Sequence, residues 1–249
     1  MNEASPPAGS LQRARLLVEL GRLAEARREV ERHLAQHSDD ADGWAYHALW
    51  LRRDDPSTAE ASAARAITLR PDSAWVHMVM AQVAGEAGRR HVSIPAAQRA
   101  VALAPYDAHA HSLLAQELSH RLGRRREAMR SAQEALRLAP DDPDVLLTVG
   151  NVQLALGKAK QAERAYRAVL AQEPENAIAL HNLSLCHSAR RNHANAIDIL
   201  HYLVRSDPRA EGARQQFDRS ISDLFREFQW LAFFVAFLLA VGSQSIWDR

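Results

Sequence analysis

The chain has 249 residues, with 47% hydrophobic residues and 31 basic against 30 acidic side chains. That apolar content is enough to fold, while the near-cancelling charge disfavours a nucleic-acid partner, which calls for a basic excess or stripe. A single cysteine, Cys186, excludes an intrachain disulfide and fits a reducing compartment.

The N-terminus, "MNEASPPAGS", has no basic start and no apolar stretch, so it does not read as a secretory signal. It is expected to be a disordered lead-in over residues 1–9, with the first helix beginning near Ser10 or Leu11. From there a period governs the chain. Prolines stand at 71, 105, 140, 174 and 208, that is, 34, 35, 34 and 34 residues apart. Twelve residues before each lies a small residue: Ala59, Ser93, Ala128, Ala162 and Ala196, with Ala26 extending the series backwards. A second small series runs Ala14, Ala48, Ala81, Ala115, Gly150, Ser184. A third marks a turn at Gly21, Gly88, Gly123 and Gly157, with Asp54 and Arg191 in the same register without glycine. A fixed repeat of this length marks stacked pairs of helices. Small residues let two helices cross closely, glycine closes the first helix of each pair, and proline cannot continue a helix.

These residues resemble the tetratricopeptide repeat family. The unit 145–177, "VLLTVGNVQLALGKAKQAERAYRAVLAQEPENA", carries the family's apolar-Gly pair (Val149, Gly150), Gly157, Ala162, Tyr166 and Pro174. The resemblance covers 10–209, about six repeats. Ser38 replaces the first proline, the second turn around "RRDDPST" is one residue short, and the fourth repeat has one extra residue near Arg124–Arg126. The resemblance implies an all-α fold, a right-handed superhelical solenoid of helix hairpins. It also implies a concave wall lined by the first helix of each pair. The residues facing that wall would be Trp75, Met78 and Gln82, then His109, Ser112 and Gln116, then Leu147, Asn151 and Leu154, and last His181, Asn182 and Leu185. Asn151 and Asn182 match asparagines that bind an extended peptide backbone in relatives, and an amide suits that task because it donates and accepts. Leu147 occupies a place where some relatives carry a carboxylate-gripping lysine, so no such clamp is expected.

Beyond the repeats, Phe217, Ile221, Leu224, Phe225 and Phe228 recur at helical spacing with charges between them. An amphipathic helix over 210–227 is expected, placed to cover the last repeat. From Phe228 to Trp247 the sequence carries no charge. Such a length of helix spans about 30 Å, near the hydrocarbon thickness of a bilayer. The reading over 228–249 is a membrane anchor, with Trp230, Phe233, Phe234, Phe237, Leu238 and Trp247 in contact with lipid. Arg209, Arg214, Arg219 and Arg226 on its amino side place the repeats in the cytoplasm of a single-pass protein. A buried terminal helix or an oligomerisation helix also satisfies the pattern, and would leave a soluble cytoplasmic protein.

No chemistry-bearing constellation stands out. His33 and His37 could share a helix face, but no third ligand is near; His109 and His111 diverge, and His181, Cys186 and His187 do not converge. No metal or cofactor is expected, and the histidines read as polar residues on exposed or wall-lining faces. There is no phosphate loop and no nucleophile elbow. The arginines from Arg121 to Arg126 read as a solvated turn, or as a contact for an acidic partner or anionic lipid heads. The sequence thus describes a non-enzymatic scaffold, tethered to a membrane, that holds a protein or peptide. The alternatives are an assembly protein that self-associates through its apolar tail and an accessory subunit of a separate enzyme.

Overall fold

The structure is a computed structural model that describes residues 9–207, 211–226 and 228–229. Among the described residues there are helices and connections but no strand. The helices follow in chain order as α1 (Gly9–Glu19), α2 (Leu23–Gln36), α3 (Ala41–Leu51), α4 (Pro56–Leu69), α5 (Ala74–Glu86) and α6 (Arg90–Leu103). After them come α7 (Ala108–Ser119), a short 3-10 turn (Leu122–Arg124), α8 (Arg125–Leu138), α9 (Pro143–Ala155), α10 (Ala159–Gln172), α11 (Ala177–Ala189) and α12 (His193–Ser206). The chain divides into two compact units, Met1–Val152 and Gln153–Arg249.

The punctuation of the sequence explains where these helices start and stop. His37, Arg70, Ala104, Ala139 and Glu173 are C-caps, each donating its backbone N–H to the carbonyl four residues earlier. Pro71, Pro105, Pro140 and Pro174 follow four of them directly. A residue before proline is driven out of the helical region, and Arg70, Ala104, Ala139 and Glu173 accordingly have ψ between 73° and 79°. Three or so residues on, a side-chain oxygen caps the next helix. Asp40 accepts from Asp42 N, Asp107 from His109 N and Ala110 N, Asp142 from Asp144 N and Val145 N, and Asn176 from Ala179 N. Each satisfies orphan donors of a first turn.

Both small-residue series are sealed. Ala26, Ala59, Ser93, Ala128, Ala162 and Ala196 have no exposed surface, and neither have Ala14, Ala48, Ala81, Ala115 and Ser184. In the first unit consecutive helices pack from α1 to α8, and the first helices also touch each other, α3 against α5 and α5 against α7. Gly21, Gly88 and Gly157 sit at φ +72°, +73° and +74°, the left-handed closure for which glycine carries no Cβ penalty. Gly123 does not join them: the extra residue of that connection is absorbed by the 3-10 turn Leu122–Arg124.

In the second unit α11 packs on α10 and α12. Residues 211–226 are helical. Ala213 is buried with Leu200 and Leu203, and Phe217 packs against the same cluster. Gln216 Nε2 donates to Ser188 Oγ at 3.4 Å, and the Ser188 and Ser220 hydroxyls lie 3.4 Å apart.

Two expectations change. Among the described residues no helix is long and apolar enough to cross a membrane. The single-pass localisation is corrected on that finding, because a span needs about 20 consecutive apolar residues and 211–226, with Arg214, Arg219 and Arg226, does not supply them. Trp230, Phe233, Phe234, Phe237, Leu238 and Trp247 lie outside the described residues. Second, the histidines are not all surface residues, because His33, His47, His187 and His193 are buried.

Candidate functional site

The first helices of the repeats set out a file of side chains beside the sealed small residues. One residue after Ala14, Ala81, Ala115 and Gly150 come Arg15, Gln82, Gln116 and Asn151, all polar. The same place holds Leu49 in α3 and Leu185 in α11. Arg15, Gln116 and Asn151 are exposed and Gln82 is half-buried. A residue that follows a sealed crossing point by one helical step of about 100° emerges at the edge of the contact, which is why these side chains are reachable.

Around this file the expected wall residues separate. In α5, Trp75 is exposed, with Met78 and Gln82 half-buried. In α7, His109 and Gln116 are exposed but Ser112 is buried. In α9, Leu147 is buried and Asn151 exposed. Leu154, His181, Asn182 and Leu185 belong to the second unit and are half-buried. His109 Nε2 lies 3.7 Å from Asp142 Oδ2. Asn182 is hydrogen-bonded to the buried Tyr166 hydroxyl, so its amide already serves the packing of α10 on α11. Burial holds the His181 imidazole below its ordinary pKa, which keeps it neutral near pH 7.

The repeat register gave no hint of an aromatic group on α3 and α5. Tyr46 and Trp50 stack at 5.6 Å, Tyr46 meets Trp75 at 6.0 Å, and the Arg15 guanidinium lies 6.0 Å from the Tyr46 ring centroid. A signal was available in composition: Trp44, Tyr46 and Trp50 crowd α3, while α7, α9 and α11 contain no aromatic of this kind.

Metal binding finds no support among the described residues, where no group of three ligating side chains converges. The rings of His33 and His37 do approach to 4.8 Å. Both ring nitrogens of His33 are engaged, however: Nδ1 lies 2.7 Å from Ser10 Oγ and Nε2 2.7 Å from Asp40 Oδ2. Hydroxyl, imidazole and carboxylate in line look like a hydrolytic relay. Yet the ring is buried, and Asp40 is the N-cap of α3. The line braces α1, α2 and the start of α3 together.

Residues 147–211 match the tetratricopeptide repeat family. The fold is that of tetratricopeptide repeats. A thermophilic tetratricopeptide repeat protein of Thermus thermophilus gives a TM-score of 0.66 at 16% identity, over 73% of this chain and 99% of its own. PilW, a widely conserved type IV pilus biogenesis factor, gives 0.69 at 16% identity, over 85% and 96%. The Cut9–Hcn1 hetero-tetramer of the APC/C gives 0.73 at 16% identity, covering 85% of this chain and 42% of that one. At such identities the likeness concerns the tetratricopeptide fold alone. No curated protein matches the sequence.

Proposed function

We propose that the chain is a non-enzymatic scaffold that holds a protein or peptide along its first helices. One observation carries this reading: Gln82 and Gln116 stand 34 residues apart, on neighbouring first helices, each beside a sealed alanine. Regularly spaced primary amides offer donors and acceptors to the backbone of an extended chain without demanding a particular side chain. The tetratricopeptide fold is suited to this, because a stacked array presents surface rather than a closed cavity. In the test, a photo-crosslinking side chain is placed at Gln82, at Gln116 or at Gln98 on the exposed face of α6 in the full chain. Partner capture is expected from the first two positions and not from Gln98. Capture from Gln98 alone removes the reading.

A second reading, self-association, draws on a separate observation. On the helical run 211–226, Phe225 is 66% exposed, and Phe228 just beyond it is 61% exposed. Two open phenylalanines are a surface that another copy could cover. Sedimentation of the full chain against Phe225→Glu decides it: a dimer that dissociates in the variant supports self-association, and a monomer in both removes it.

A further inference from the structure

The aromatic group on α3 and α5, with Arg15 of α1 beside it, is not part of the repeat, and it has the features of a ligand platform. At the place of Tyr46 the other first helices carry Gln12, Val79, Leu113, Thr148 and Asn182, so packing the repeat does not call for a tyrosine. Tyr46 and Trp50 rest against the core of Leu11, Ala14, Val30 and Leu34. Their rings are therefore held by one edge and remain partly open. Trp75, tilted 55° to Tyr46, is 37% exposed. Rings fixed in this way lose little entropy when something stacks on them.

The charge beside the rings selects among ligands. Arg15 is exposed, lies near the Tyr46 ring and has no carboxylate partner among the described residues. Three carboxylates of α2, α3 and α5 are paired: Asp42 with Arg70, Glu86 with Arg52 and Arg53, Glu29 with Arg13 and Arg32. A cationic ligand would meet the like charge of Arg15 beside the Tyr46 ring. A single-stranded nucleic acid needs a basic groove that follows its backbone, and one unpaired arginine in a chain of net charge +1 does not make one. A proline-rich segment fits. It is preformed as an extended helix, its flat rings stack on aromatic faces, and its carbonyls remain unbonded. Two residues of such a helix advance about 6 Å, comparable to the 6.0 Å between Tyr46 and Trp75. Gln82, on the same helix as Trp75, can donate to the free carbonyls.

We propose that α1, α3 and α5 bind an acidic, proline-rich peptide segment, with prolines on Tyr46, Trp50 and Trp75 and a carboxylate on Arg15. The proposal rests on the docking reading and specifies its ligand. The test uses the full chain and fluorescence anisotropy with three labelled peptides. The first has about six prolines flanked by glutamates, enough for two turns of the extended helix. The second has the same prolines flanked by serines, and the third has the glutamates with alanine in place of proline. Saturable binding of the first is expected, about tenfold tighter than either control. Trp75→Ala should weaken it about tenfold with an unchanged unfolding midpoint. Arg15→Gln should abolish the preference for glutamate over serine flanks and flatten the salt dependence. Equal binding of wild type and Trp75→Ala, or no saturation by any peptide, overturns the proposal. If the alanine peptide binds as well as the first, the proline assignment is wrong, while capture from Gln82 and Gln116 can still uphold docking. No peptide binding together with no capture removes both.

Discussion

Arg90 Nη1 lies 2.6 Å from Glu117 Oε2, and the carboxylate is buried. Ser93 Oγ donates to the same oxygen at 2.5 Å, and Arg90 also donates to the Gly85 carbonyl at 2.7 Å. Three consecutive helices, α5, α6 and α7, therefore meet on one carboxylate. A buried charge is tolerable only when its oxygens are satisfied; here the partners come from 24 and 27 residues away in sequence.

The first prediction concerns Gly85. A Cβ added there would collide with the Glu117 carboxylate. Alanine should raise helix propensity by about 1 kcal/mol. Displacing a carboxylate held by Arg90 and Ser93 should cost more, since breaking a buried pair costs about 3 kcal/mol. Gly85→Ala is therefore expected to destabilise by about 1–2 kcal/mol in urea unfolding. In a Glu117→Ala background the collision is gone, and the same change should become stabilising. The reversal of sign is the diagnostic result; a loss of equal size in both backgrounds would show that the carboxylate is not the obstacle.

Much of the fold was legible because a packing constraint repeats wherever the packing repeats. Ala59, Ala162 and Ala196 are small because two helices cross on them, and that requirement recurs with the period. Gly123 illustrates the limit: its register matches Gly88 and Gly157, yet one added residue turns its connection into a 3-10 turn and the positive φ disappears. Glu117 was not legible, since a glutamate in a helix looks like a surface residue until Arg90 and Ser93 are seen to reach it. The platform of Tyr46, Trp50 and Trp75 was not legible from the period either, because it departs from it. Of the expected wall residues, Ser112 and Leu147 are buried, a half-turn distinction that spacing alone resolves poorly.

The second prediction uses Arg191, the one non-glycine among the described residues at positive φ, +59°. It occupies the place held by Gly88 and Gly157 in other repeats. A side chain in the left-handed region costs about 1 kcal/mol. Arg191→Gly should therefore stabilise by up to about 1 kcal/mol, less whatever the arginine side chain contributes. Gly157→Ala should destabilise by a similar amount for the same reason. Thermal unfolding of both variants checks the opposite signs, and two shifts in the same direction would refute the account.

The third prediction is a pH dependence. Burial lowers the pKa of His47, and the nearby Glu31 only partly opposes this. His181 and His187 are lowered by burial as well. Each folded pKa lies below the unfolded value of about 6.5, so the unfolded chain takes up the proton first as pH falls. Stability is complete above about pH 6.5 and is lost as pH drops from there towards the depressed values. This window lies above the carboxylate range, where Asp55 would act. His47→Gln, which retains an acceptor or donor for Ser62 Oγ, should make the decline in urea midpoint between pH 7 and pH 5 shallower. An unchanged slope would remove His47 from the account.

The last prediction concerns Cys186. It has no exposed surface, and burial, with the Glu163 carboxylate second, pushes its thiol up to about 11. Only the thiolate is a good nucleophile, so two barriers coincide: the sulfur is inaccessible and it is protonated at neutral pH. Glu163 itself is buried and paired with Arg167 at 2.8 Å and with Arg190; the positive charge of Arg190 opposes the rise in the thiol pKa but does not outweigh burial and the carboxylate. Reaction with a thiol reagent at pH 8 is therefore expected to follow the unfolding of the α10–α12 region. The rate should rise by several orders of magnitude across the urea transition and track the population of opened chain. Glu163→Gln removes the carboxylate's charge but leaves the sulfur buried, so it should speed native-state labelling far less than urea does. Rapid labelling of the folded protein at pH 8 would mean that the helix packing around Cys186 is open in solution, and the burial argument would fail with it.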